Sequence, residues 1–296
     1  MTEKYLTANG LELAYDEFGE PENPAILLIM GLGTQMIAWP EPFCEGLVAL
    51  GYRVIRFDNR DIGLSQKMEG ARTPHFLKML AYSRFKIPLK VPYRLRDMAE
   101  DAVGILDALG IEAAHIVGAS MGGMIAQLMA AHHRHRVLSL TSIMSTSGHR
   151  SLPGAEREVV ARMVRRPVST EAEEIVKHSI GTHRLIGSPG FQASDEELRE
   201  RILRAFKRSY YPAGYKRQMA AIMASGDRVS ALKKITAPAL VIHGKADRLV
   251  PVAGGIDTAR HIPDAKLELI EGMGHDLPLP LVPQFLDLIG NHVESA

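Results

Sequence analysis

The stretch Ala113–Ala131, AAHIVGASMGGMIAQLMAA, constrains the fold of this chain more than any other. An apolar run reads as a strand, Gly118-Ala119-Ser120-Met121-Gly122 as a tight turn, and the small and unbranched residues after it as a helix. No linker separates them. A strand can feed straight into a helix only where the two backbones approach closely, and Gly118, Gly122 and Gly123 have no Cβ to keep them apart. A serine on such an elbow is thrust out of the turn with its hydroxyl exposed, which makes Ser120 a candidate nucleophile. The competing reading is a glycine-rich turn that merely packs well.

The rest of the chain fits around that unit. Strands are predicted over Leu11–Phe18, Ala25–Leu32, Tyr52–Asp58, Ala114–Gly118, Val137–Met144, Ala239–His243 and Lys266–Ile270, and Asn9-Gly10 is a hairpin signal. Helices are predicted over Pro42–Leu50, Arg96–Leu109, Met121–His133, Gly255–His261 and Val282–His292. Strands alternating with helices imply an α/β fold with a mostly parallel sheet covered on both faces. Two stretches interrupt the alternation. Residues 149–226 read as helices over Ala155–Arg166, Thr170–Ser179, Asp195–Ser209 and Tyr215–Ala224, a helical cap inserted between core segments 1–148 and 227–296. Residues 67–95 form a connection too long for an ordinary crossover and read as a lid segment within the core.

A serine hydroxyl needs a base, and the base needs an acid to orient it. After an elbow of this kind the acid precedes the base in the chain. Asp247, just past the strand in PALVIHGKADRLVP, is the candidate acid, because the end of the preceding strand reads MSTSG and carries no carboxylate. Asp227 is the reserve. His275, on the glycine-rich loop of LELIEGMGHDLP, is the candidate base, while His243 inside its strand end reads as structural. The backbone N–H of Met121, and that of Leu32 in the Met30-Gly31-Leu32-Gly33 loop, are the candidate oxyanion donors.

Composition excludes other classes. With 46% hydrophobic and 23% charged residues and a net charge of +1, nothing draws the chain toward nucleic acid. Cys44 is the only cysteine, so neither an internal disulfide nor a cysteine zinc site is expected. His132, His133 and His135 follow a helix, where they suit the helix dipole better than a metal. No secretory signal or membrane span is evident, which points to a cytoplasmic protein. Charge is unevenly spread: Lys67–Arg96 has eight basic residues against one acidic and His149–Gln218 fourteen against nine, so the inserts are basic and the remainder acidic. The first of these also interleaves Phe76, Met79, Leu80, Tyr82, Phe85 and Ile87 with its cations, as a lid touching an anionic or lipid surface would; an ordinary cap with solvated basic faces and an apolar underside is the reading the pattern favours over membrane binding.

The segments IMGLGTQMIAW, VIRFDNRDIGLS, HIVGASMGGMIAQ, IHGKADRLVP and GMGHDLP together resemble the α/β-hydrolase superfamily, nearest to the bacterial esterase group that includes aclacinomycin methylesterase. The resemblance spans essentially the whole chain and implies a cofactor-free serine esterase with an eight-stranded sheet, a helical cap and Ser120, Asp247 and His275 as triad. Its expected substrate is a small to medium, largely apolar ester. One departure stands out: many relatives carry His-Gly where this chain has Met30-Gly31. Lipase or thioesterase, carbon–carbon bond hydrolase and perhydrolase chemistries share the same triad and stay open, as does a ligand receptor on the same fold.

Overall fold

The computed structural model describes residues 3–74, 89–165 and 167–296. Eight strands form one sheet: β1 (Lys4–Ala8), β2 (Leu11–Phe18), β3 (Ala25–Ile29), β4 (Arg53–Phe57), β5 (Ala114–Ala119), β6 (Val137–Ile143), β7 (Ala239–Gly244) and β8 (Lys266–Ile270). Their spatial order is β1-β2-β4-β3-β5-β6-β7-β8. β1, β2 and β4 pair antiparallel, and every pairing from β4 through β3 to β8 is parallel. β1 was not foreseen as a strand, although the Asn9-Gly10 signal marks its turn: Asn9 and Gly10 both take positive φ there.

The described helices are α1 (Glu41–Ala49), α2 (Leu95–Ala108), α3 (Met121–His132), α4 (Arg157–Val164), α5 (Ala172–Ile186), α6 (Asp195–Arg208), α7 (Pro212–Ser225), α8 (Val229–Leu232), α9 (Ala253–His261) and α10 (Val282–Glu294). α4 to α7 occupy the stretch foreseen as helical. Most of the foreseen lid segment, residues 75–88 with its six interleaved apolar side chains, lies outside the described residues, as does Arg166 at the end of the first foreseen cap helix.

Two apolar layers sandwich the sheet, and β3 divides its side chains between them by its period of two. Leu27 and Ile29 join Met98, Ile105, Ile125 and Met129 of α2 and α3. Ile26 and Leu28 join Phe43 and Leu47 of α1 and Phe285 and Ile289 of α10. β3, β4 and β5 are buried along their whole length, which explains the continuous apolar sequence of β3, while the two arginines of β4, Arg53 and Arg56, are paired with Glu17 and Asp16. Among the described residues no helix is long and apolar enough to cross a membrane.

Candidate active site

Ser120 follows β5, at the middle of the parallel region, where loops leave the carboxyl ends of the strands. Its backbone has φ 56° and ψ −118°, a strained conformation for a residue with a side chain. The strain is held from both sides. Ser120 N–H donates to the Ile143 carbonyl at 2.9 Å, and the Ser120 carbonyl accepts from Met124 N–H and Ser145 Oγ. A Cβ on Gly122 would overlap the carbonyl oxygen of Ile29, and one on Gly118 would overlap that of Gly122, so β3, β5 and α3 meet at distances only glycine permits.

Asp247 and His275 come from the loops after β7 and β8. His275 Nε2 lies 2.9 Å from Ser120 Oγ, and His275 Nδ1 lies 2.7 Å from Asp247 Oδ2. Asp247 Oδ1 accepts from the N–H groups of Leu249 and Val250 at 2.9 and 2.8 Å, so the two carboxylate oxygens have separate tasks. Burial pushes the Asp247 carboxyl up, but the charge of His275 and hydrogen bonds from His243, His275 and Val250 N–H outweigh it and bring the group down to about 2. His243 is fully buried, with Nε2 2.8 Å from the Val250 carbonyl and 3.5 Å from Asp247 Oδ2. It braces the Asp247 loop. Asp227, the reserve acid, is exposed and accepts from Val229 N–H at 3.3 Å; among the described residues it has no hydrogen bond with His275.

The His275 loop is also held by the end of α5. His275 N–H donates to the Ile186 carbonyl at 2.7 Å, Gly190 N–H to the Gly272 carbonyl at 3.0 Å, and Gly274 N–H to Ser188 Oγ at 2.9 Å. A cavity of about 360 Å³ lies behind the acid, lined by Asp247, Arg248, His183 and Asp276 but by neither Ser120 nor His275.

The loop after β3 completes the site. The apolar run predicts a strand as far as Leu32, but β3 ends at Ile29. The backbone peels away because the Met30 carbonyl accepts from Asn59 Nδ2 at 2.9 Å and Gly31–Thr34 closes a turn, Thr34 N–H donating to the Gly31 carbonyl. A Cβ on Gly31 would stand 3.6 Å from Ser120 Oγ, so this loop flanks the hydroxyl. Among the described residues neither Leu32 N–H nor Met121 N–H has a protein acceptor. Met121 N–H is also the first donor of α3, where the helix dipole adds positive potential.

Several residues around the site were not singled out from the sequence. Asp58, Arg60 and Asp61, in the loop after β4, are all buried. Asp61 receives both forks of the Arg217 guanidinium at 2.7 and 2.8 Å and the Tyr93 hydroxyl at 2.6 Å. Burial pushes the Asp61 carboxyl up, but these bonds more than reverse it. Asp58 accepts from Met36 N–H, Leu64 N–H and Arg208. Arg60 is bidentate to Asp101. The one available signal is FDNRD itself, a dense run of charge at the end of a buried strand.

The α/β hydrolase fold family matches residues 24–280. The chain belongs to that family. It is 30% identical to rhodomycin D methylesterase DauP of Streptomyces sp. (strain C5), an alignment covering 100% of this chain and 99% of the relative. It is 28% identical to rhodomycin D methylesterase DnrP of Streptomyces peucetius, with coverage of 100% and 99%. Among solved structures, the enol-lactonase from Burkholderia xenovorans LB400 superposes with a TM-score of 0.74 at 24% identity, over 98% of this chain and 100% of that one. This last likeness concerns the fold.

Proposed function

We propose that this hydrolase-family protein is a serine carboxylic-ester hydrolase acting through Ser120, His275 and Asp247. The observation that carries the reading is the continuous relay from Ser120 Oγ through the imidazole to Asp247, at 2.9 and 2.7 Å. Full-length similarity to two methylesterases supports an ester substrate and puts methyl esters first among those to try.

In this mechanism Ser120 Oγ attacks the ester carbonyl while His275 Nε2 takes its proton, and Asp247 stabilises the imidazolium that forms. Charge developing on the carbonyl oxygen falls between Leu32 N–H and Met121 N–H. The tetrahedral species collapses, His275 protonates the departing alcohol, and an acyl-Ser120 intermediate remains. Water, deprotonated by His275, then releases the acid and restores the serine. Backbone donors form the oxyanion site, so Met30 in place of histidine leaves it intact. Only water and ester are consumed. Residues 149–226 form the cap over this site, and 1–148 with 227–296 form the core that carries it.

A fluorophosphonate probe tests the reading. Wild-type protein becomes labelled and turns over p-nitrophenyl and methyl esters, Ser120→Ala loses the label, and folded His275→Ala loses about 10⁴-fold or more in kcat/KM. Labelling that persists in Ser120→Ala, or a folded wild type that neither labels nor hydrolyses esters, overturns it.

A further inference from the structure

We infer that Gln218, on α7, is a positioning residue that sets the oxyanion loop and couples the helical insert to the ester chemistry; the inference rests on the function proposed above. Gln218 has no exposed surface. Its Oε1 accepts from Gly33 N–H at 2.9 Å, and its Nε2 donates to the Arg60 carbonyl at 2.9 Å. One amide therefore bridges the loops after β3 and β4. A second bridge lies beside it, where Asn59 Nδ2 donates to the Met30 carbonyl.

These two bridges bracket the functional peptide. The Leu32 N–H belongs to the Gly31–Leu32 peptide, and the bracketing contacts fall on Met30 before it and Gly33 after it. Gly33 adopts φ +66°, and a Cβ there would meet the Tyr215 ring within contact distance, so α7 also presses on the loop at this residue. A loop with positive φ and few bonds of its own has many conformations of similar energy. The Gln218 amide removes most of them, because rotation at Gly33 would leave a buried acceptor unpaired. The Arg217–Asp61 pair fixes the height of α7 above the loops, so the amide arrives in register. The oxyanion donor is thereby preorganised by a residue that touches no reacting atom.

Gln218→Met keeps the length of the side chain and removes both bonds; Gln218→Glu keeps the acceptor for Gly33 and removes the donor to Arg60. The expected result for Gln218→Met is a fall in kcat of about 10- to 100-fold with KM within about threefold, as suits a displaced transition-state donor. A matched pair of ester and thionoester substrates separates this from general damage. Sulfur accepts poorly from N–H, so thionoester turnover falls less than ester turnover and their ratio contracts. Gln218→Glu shows a smaller contraction, and it carries the test if the methionine variant does not fold. Unchanged kcat, or an equal fall for both substrates in a folded variant, overturns the inference. Wild-type protein that shows Ser120-dependent labelling while Gln218→Met keeps full kcat defeats this inference alone, whereas wild type without labelling defeats the function beneath it.

Discussion

The loops after β4 and β5 leave strands that flank β3 on either side, yet they are built on opposite principles. The elbow at the end of β5, Gly118 to Gly123, carries no charge. Backbone hydrogen bonds and close approach of small residues hold Ser120 in place. The loop after β4, Asp58 to Asp61, carries three buried charges, each answered by a partner far away in sequence: Arg208, Asp101 and Arg217. The comparison teaches that strain needed at one atom is best held by rigid, short-range backbone contacts. A joint between the core and a later helical segment instead uses side chains long enough to reach across. Removing one partner from such a joint is costly, because the remaining charge is buried and unpaired.

The largest effect should come from breaking that joint. Arg217→Met leaves the Asp61 carboxylate without its counter-ion and should destabilise the fold by about 3–5 kcal/mol in urea unfolding. Asp61→Asn combined with Arg217→Met should recover most of it, since no charge then remains to desolvate. Asparagine tolerates the φ of +74° and keeps an acceptor for the Tyr93 hydroxyl or Met68 N–H. A loss below about 1 kcal/mol for Arg217→Met would mean the ionic joint contributes little and the contrast fails.

Next comes the neutral elbow. Gly122→Ala places a methyl group against the Ile29 carbonyl, a backbone atom that cannot turn aside. The expected cost is about 3 kcal/mol, at the upper end of overpacking effects, with Ser120 displaced and fluorophosphonate labelling slowed. Wild-type stability and labelling would show that the strand–helix approach is not steric.

The strand bearing the elbow is kept neutral at its start as well. His115 is buried with Nδ1 2.8 Å from Ser139 Oγ, and burial followed by the nearby charge of His292 lowers its pKa to about 4. An unfolded histidine titrates near 6.5, so protons favour the unfolded chain. The stabilisation is complete above pH 6.5 and is lost as pH falls through 4, by up to about 3 kcal/mol. His115→Phe should flatten the slope of unfolding free energy between pH 7 and 4.5; an unchanged slope would assign it to other groups. The smallest expected effect concerns Cys44, whose thiol burial pushes up to about 12. A thiol reagent at pH 8 should leave the folded protein unmodified and react on unfolding, and rapid labelling of folded protein would show α1 opening locally.

The sequence by itself determined the parts whose causes are local. The elbow, the alternation of strands and helices and most of their limits follow from spacing and small residues that act on neighbours. The choice of Asp247 and His275 followed from order and from the missing carboxylate at MSTSG. β1 escaped because a five-residue edge strand with mostly exposed side chains carries no sustained apolar pattern. Tertiary structure alone decided where β3 ends, since Asn59 and a turn draw Met30 to Thr34 out of the sheet. It also decided which charges are buried and what Arg217 and Gln218 do. No pattern around α7 points to Asp61 or Gly33, which lie more than 150 positions away in sequence. The physical reason is range. A turn or a helix is settled by contacts a few residues apart, whereas a buried charge or amide takes its meaning from partners that only folding brings within hydrogen-bond reach.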